Sequence, residues 1–171
     1  MEGDIANMGQ FIGAGLAAIL IVELIASTRR NAARMETATR LRGIHQGYIQ
    51  YAEANDGRLP PDLATLYRNS YFTADFVLSP LTNKCLPDGF GNWPVEKQDE
   101  WINTQSSYVL APPWMRKENG IAVYLKPEDS DGHGIAIAWS DNHLTWVPIK
   151  TFRESVASYA DRPLPQDAAK K

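Results

Sequence analysis

Hydrophobic and polar positions change rhythm twice along the chain. Residues 11–26, FIGAGLAAILIVELIA, are apolar apart from Glu23 and pass without a turn signal into a basic, helix-patterned stretch over residues 27–52. In that stretch Met35, Ala38, Leu41, Ile44, Tyr48 and Tyr51 recur every three or four residues, while Arg34, Thr37, Arg40, Gln46 and Glu53 fall elsewhere on the wheel. This is the period of an amphipathic helix. No proline interrupts residues 1–58, and Asn55-Asp56-Gly57 supplies a left-handed stop. One helix is therefore expected over about residues 8–55, on the order of 70 Å long. A compact domain of this size has no room for it, so its N-terminal part is expected to enter a membrane or an assembly.

The second half reads with a period of two. Leu59-Pro60-Pro61-Asp62 forms a rigid connector, followed by a short helix over residues 62–67. Residues 79–101 hold three prolines and the aromatics Phe90, Trp93 and Trp101, and are expected to form an irregular loop pinned by those rings. Residues 107–110 and 121–125 are short apolar runs expected to pair as antiparallel strands. Residues 134–148, GIAIAWSDNHLTWVP, predict a hairpin with Asp141-Asn142 as a two-residue turn, which pairs Trp139 with Leu144, Ile137 with Trp146 and Ile135 with Pro148. One face then carries Ile135, Ile137, Trp139, Leu144 and Trp146, and should pack on the amphipathic helix. The fold class expected is α+β, a long N-terminal helix on a small antiparallel β-sheet.

The apolar run corresponds to about 24 Å of helix, slightly short of the roughly 20 residues that cross a bilayer, and Met8 and snorkelling arginines could extend it. The residues before it, MEGDIANMGQ, carry Glu2 and Asp4 but no Lys or Arg, unlike a secretory signal, so the segment is expected to be retained. Glu23 within the run calls for a pairing partner or a place near headgroups. Gly13, Gly15, Ala17 and Ala18, with Ala14, permit close helix contact and are the expected packing positions. Arg29, Arg30 and Arg34 flank the run and are expected to face phosphate headgroups. By the positive-inside tendency they would hold that side in the cytoplasm.

With 171 residues, 44% hydrophobic, the chain supports one anchor and one modest domain. A net charge of −3 argues against a nucleic-acid partner. The single Cys85 excludes an intramolecular disulfide and a cysteine-rich zinc site. Asp129-Ser130-Asp131-Gly132 begins like a calcium loop, which makes Asp129 and Asp131 the one metal candidate. The glycine stands fourth rather than sixth, however, and Ser140 replaces the bidentate glutamate, so a solvated turn is preferred. His133 and His143 sit at opposite ends of the hairpin, and His45 is expected to be interfacial. No nucleophile elbow, phosphate loop, zinc-protease or dinucleotide motif is present in the sequence, so neither catalysis nor a cofactor is expected.

Three stretches in order resemble one family. RRNAARMETATRLRGIHQGYIQYAEANDGRLPPDLATL, residues 29–66, resembles the post-anchor helix and its exit in type IV pilin-like and type II secretion pseudopilin-like proteins, especially planctomycete-type ones. FVLSP, residues 76–80, is similar to their F-V-C-P strand end, with Leu78 where many carry cysteine. DGHGIAIAWSDNHLTWVPIKTFRE, residues 131–154, is similar to their terminal hairpin with its A-D-G-H-V-x-W/F ending, through Asp141, His143 and Trp146, with Asn142 at the turn glycine. The front departs from the prepilin pattern: Phe11 follows Gln10, Gly15 occupies the glutamate position, and Glu23 is out of register.

The resemblance implies a non-catalytic, single-pass structural protein of a bacterial inner membrane, its head periplasmic or extracellular, an orientation that conflicts with the positive-inside tendency of Arg29, Arg30 and Arg34. Its helix would pack against copies of itself or other pilin-like or membrane subunits in a filament or secretion pseudopilus. It divides the chain into a hydrophobic anchor (1–28), an amphipathic continuation (29–58), a small α+β head (59–160) and a flexible tail (161–171). The alternative is a monomeric, membrane-tethered binding module using the aromatic region between Trp93 and Trp114.

Overall fold

A computed structural model of the chain describes residues 2–113, 115–116 and 120–160, with side chains described from residue 20 to residue 156 of these. Helix α1 runs Glu2–Ala54. Contacts divide the chain after Met35 into two units. In the first, the described residues are helix only. The second contains the rest of α1, three further helices, α2 (Leu63–Arg68), α3 (Val95–Gln105) and α4 (Ile149–Ala160), and a four-stranded sheet. Its strands β1 (Tyr108–Leu110), β2 (Ile121–Leu125), β3 (Gly134–Trp139) and β4 (Leu144–Pro148) lie in sequential order, each antiparallel to the next. The fold is α+β, as expected, and its architecture, a long N-terminal helix with a four-stranded antiparallel sheet, is pilin-like.

Helix α1 stops where Asp56 and Gly57 take φ of 56° and 80°. The Gly57 amide reaches back to the Ala52 carbonyl at 2.8 Å, and the Asn55 side-chain amide donates to the Tyr51 carbonyl at 2.7 Å. Both bonds satisfy carbonyls that the helix end leaves open. Asp62 then caps α2 by accepting from the Thr65 amide and hydroxyl.

The stripe that α1 buries is Thr37, Leu41, Ile44, His45 and Tyr48. Met35, placed on it by the sequence pattern, is 74% exposed, whereas Thr37, placed off it, is fully buried. At about 100° per residue Met35 lies roughly 140° from the stripe's centre, while Thr37 lies nearly on it, in line with Leu41, Ile44 and Tyr48. Opposite Gly43 and Gly47 the segment around residues 71–76 comes close: a Cβ at Gly43 would lie 2.6 Å from Phe76 Cε1, and one at Gly47 2.8 Å from Tyr71 Cβ.

The hairpin forms one residue out of the expected register. Ile135 pairs with Val147, Ile137 with Thr145 and Ala138 with Leu144. The Trp139 amide donates the last bond to the His143 carbonyl, and the Asn142 amide, with Asn142 at φ 70°, closes the turn on the Trp139 carbonyl. The loop thus has three residues, the length that ends in a left-handed position. Because side chains alternate, a one-residue slip turns every β4 residue over. Leu144 and Trp146 join Ala136 and Ala138 rather than Ile135 and Ile137.

The face with those alanines is the one toward α1, since Tyr108, paired to Leu125 on that face, donates its hydroxyl to the Thr37 carbonyl. The face with Ile135 and Ile137 also carries Tyr124, whose ring lies 5.0 Å from that of Phe152 in α4. The expected packing of the bulky face on α1 is therefore corrected: the alanine face meets α1, and α4 covers the isoleucines. Residues 79–101 are also not wholly irregular, because α3 begins within them at Val95.

Candidate functional site

In the first unit every described residue from Leu20 to Ala32 is exposed. Leu20, Ile21, Val22, Leu24 and Ile25 are 47–66% exposed, and at about 100° per residue they cover an arc of about 200°, more than half the helix, with Glu23 in the remaining gap. Such a segment is ordinarily buried by a partner or by lipid. Glu23 stands among them. Its neighbours one turn away, Leu20, Ala26 and Ser27, offer it no cation. The Ser27 and Thr28 hydroxyls both donate to the Leu24 carbonyl, at 3.0 and 2.8 Å, so the polar side chains ending the apolar run are satisfied within the helix. Arg29 and Arg30 follow in the open, and Arg34 is half-buried. Among the described residues no helix is long and apolar enough to cross a membrane. The predicted packing positions Gly13, Gly15, Ala17 and Ala18 lie outside the residues whose side chains are described.

In the second unit the polar groups that α1 buries serve to hold the head. The Thr37 and Ser79 hydroxyls meet at 3.0 Å, and the Tyr108 phenol is raised far above its usual range, by burial first. Arg40, expected on the outer face, donates through Nη1 to the Asp75 and Leu78 carbonyls at 2.6 and 2.9 Å, and through Nη2 to Glu36. It thereby satisfies carbonyls of the short 3-10 helix over Ala74–Val77 and of the residue that ends it. Arg116 does the same elsewhere, donating to the Ala111 carbonyl and, at 2.9 Å, to that of Pro60, with its guanidinium 5.9 Å from the centre of the Tyr48 ring.

His45 is 2% exposed and lies where the β3–β4 turn meets α1. Burial lowers its pKa; a hydrogen bond with the Asn142 side chain and the charge of Asp141 oppose that shift. Its Nε2 has no partner among the described residues. The expectation of an interfacial histidine is correct, and the interface is with the turn. Asp141 pairs with His143, whose ring stacks on Trp139 at 5.3 Å.

The two calcium candidates do not converge. The buried Asp129 takes the Lys84 ammonium at 2.7 Å, and Asp131 accepts from the His133 amide at 3.1 Å. Among the described residues no group of three or more His, Cys, Asp or Glu is placed to hold a metal ion.

Phe90 is buried against Trp93, Trp101 and Tyr67, with ring centres 5.2–6.1 Å apart. Lys97 sits 3.8 Å over the Trp93 ring. These rings pin the loop to the head, while Trp114 lies outside the described residues. An open groove of about 580 Å³ beside them is lined by Tyr67, Arg68, Phe72, Val95 and Gln98; Arg68 is already engaged by Asp99 at 3.3 Å. No family model, curated protein or solved structure matches the chain.

Proposed function

We propose that this chain is a non-catalytic, pilin-like structural subunit that joins a membrane complex, filament or secretion pseudopilus through the first half of α1. The observation that carries the reading is the exposure of Leu20, Ile21, Val22, Leu24 and Ile25 over more than half the circumference of one helix. Nothing in a soluble monomer compensates that much open apolar surface. The pilin-like architecture and the three stretches resembling pseudopilins support the same reading, in which the chain sits in a bacterial inner membrane with its head outside the cytoplasm.

The test is light-scattering chromatography of the full-length chain in mild detergent, beside a variant with Leu20, Ile21, Leu24 and Ile25 all changed to serine. The wild type is expected to elute as an oligomer and the variant as a monomer with an unchanged head by near-ultraviolet circular dichroism. A monomeric wild type, in detergent and after cross-linking in native membranes, overturns the reading. Carbonate extraction of membranes checks the anchor separately, with the wild type expected in the pellet.

A further inference from the structure

We propose that the β3–β4 tip, residues 140–143, is an acid-released latch on α1: it closes over His45 while that ring is neutral and comes away when the ring takes a proton. The latch belongs to the head and does not depend on the assembly reading above.

The closed tip leaves no place for a charge on the ring. His45 is 2% exposed, and the Asn142 side chain hydrogen-bonds it from the tip. Nε2 has no partner among the described residues. A neutral imidazole tolerates this, because one of its nitrogens can stay a bare lone pair, whereas an imidazolium carries an N–H on both. The second N–H is then buried, charged and unpaired, a state that the head can leave only by admitting water.

The groups that face the ring do not remove that cost. From the tip come Asp141 and His143. Asp141 is the one carboxylate among the facing groups, and it is already paired with His143, with side chains 43% and 51% exposed, so water screens its pull on His45. Along α1 lie Tyr48, whose ring stacks on that of His45 with centres 6.0 Å apart, and the exposed cation Arg42 one turn back. Behind Tyr48 stands a second cation, Arg116, 5.9 Å from the centre of the tyrosine ring. Burial outweighs Asn142 and Asp141, and holds the ring's pKa below its ordinary value.

The tip is also the element able to yield. Asp141, Asn142 and His143 are exposed, so lifting them uncovers little apolar surface. Ser140 ties the tip to the start of β2, giving its amide and its hydroxyl to the Gly120 carbonyl at 2.8 and 2.9 Å. Behind it, Gly134 to Ala138 of β3 are buried in the sheet. Exposed loops held by polar bonds open locally far more readily than a buried ladder. Once the tip is off, the ring meets water and regains its ordinary affinity for protons, so opening grows as pH falls below about 6.5 and levels off at the lowered value of the closed state. Acid thus loosens one corner of the head while the sheet stays paired.

The test is hydrogen–deuterium exchange by mass spectrometry on the full-length chain in mild detergent, from pH 7.5 to 5, with each rate divided by the intrinsic chemical rate at that pH. Peptides covering residues 139–143 are expected to open up to tenfold more per pH unit below about pH 6.5, the limit for one proton. Peptides of β1 and β2, held by bonds such as that from the Ala111 amide to the Ala122 carbonyl, are expected to show no such rise. His45→Gln, uncharged at every pH, should flatten the profile at the tip. The Asp141→Asn/His143→Gln pair, which removes both titratable groups of the tip, should retain it. Should His45→Gln fail to fold, proton NMR of the wild-type histidine rings serves instead, with His45 assigned by elimination through His133→Gln and the pair variant; its ring is expected to titrate over the range in which the tip opens. A tip whose opening ignores pH overturns the proposal, as does a slope that survives His45→Gln or a His45 ring that titrates outside that range. Slower tip exchange in acid shows Asp141 capturing the imidazolium and refutes release. Equal loosening of the β1 and β2 peptides assigns the proton to unfolding of the whole head and refutes the latch.

Discussion

Substituting alanine at Gly47 and at Gly43 separates two opposing effects on one helix. Each change gains about 1 kcal/mol from helix propensity, since glycine is the costlier residue within a helix. Against this, a Cβ at Gly47 would lie 2.8 Å from Tyr71 Cβ and 3.5 Å from the Tyr71 carbonyl oxygen. Tyr71 Cβ is fixed to its backbone, so relief requires moving the 71–76 segment away from α1. Overpacking costs about 1–3 kcal/mol, and an obstruction fixed to the backbone puts this one in the upper half of that range. The net expectation for Gly47→Ala is a loss of roughly 1–2 kcal/mol. At Gly43 the obstruction is Phe76 Cε1, at 2.6 Å. This is the far edge of a half-buried ring that can swing outward, so the propensity gain survives and Gly43→Ala is expected to be neutral or slightly stabilising. Urea unfolding of the full-length variants in mild detergent, followed by tyrosine and tryptophan fluorescence, measures both. A Gly47→Ala protein as stable as the wild type, or a Gly43→Ala protein that loses more than Gly47→Ala, would refute the argument that these glycines set how closely the 71–76 segment approaches the helix.

Leu41→Asp should unfold the head, placing a carboxylate at a fully buried site at a cost of several kcal/mol, while Met35→Asp, at an exposed site, should change thermal stability by less than about 0.5 kcal/mol. Arg40→Met keeps the side-chain bulk but leaves the Asp75 and Leu78 carbonyls without their donor, and is expected to cost about 1–3 kcal/mol in the same denaturation assay. For His45 the folded-state pKa lies below the unfolded value, so both states are neutral above about pH 6.5 and stability there is complete. As pH falls from 6.5 toward the lowered folded value, the unfolded chain takes up a proton that the buried ring refuses, and stability declines. The slope should vanish in His45→Gln, as read from urea midpoints across pH 7.5 to 5; an unchanged slope would place the titrating group elsewhere.

Much of the fold follows from local patterning. An uninterrupted helical stretch ending at Asn55-Asp56-Gly57, a capped turn after Asp62, and alternating runs at β1 to β4 are each dictated by a few adjacent residues, because backbone stereochemistry and side-chain period act over short distances. The open apolar segment and its basic flank are equally local, and they are the whole of the candidate assembly surface. What the sequence left undetermined depends on what lies across from each element. The hairpin could close with two or three loop residues, and the choice rests on Asn142 turning left-handed where the β3–β4 tip covers His45. Helix α4 hides the isoleucine face, so alternation alone could not say which side of the sheet meets α1. Thr37 and Arg40 look like surface residues until Ser79, Tyr108 and two distant carbonyls are set against them. Burial of a polar side chain is decided by whether partners far along the chain satisfy it, and only the tertiary structure brings those partners together.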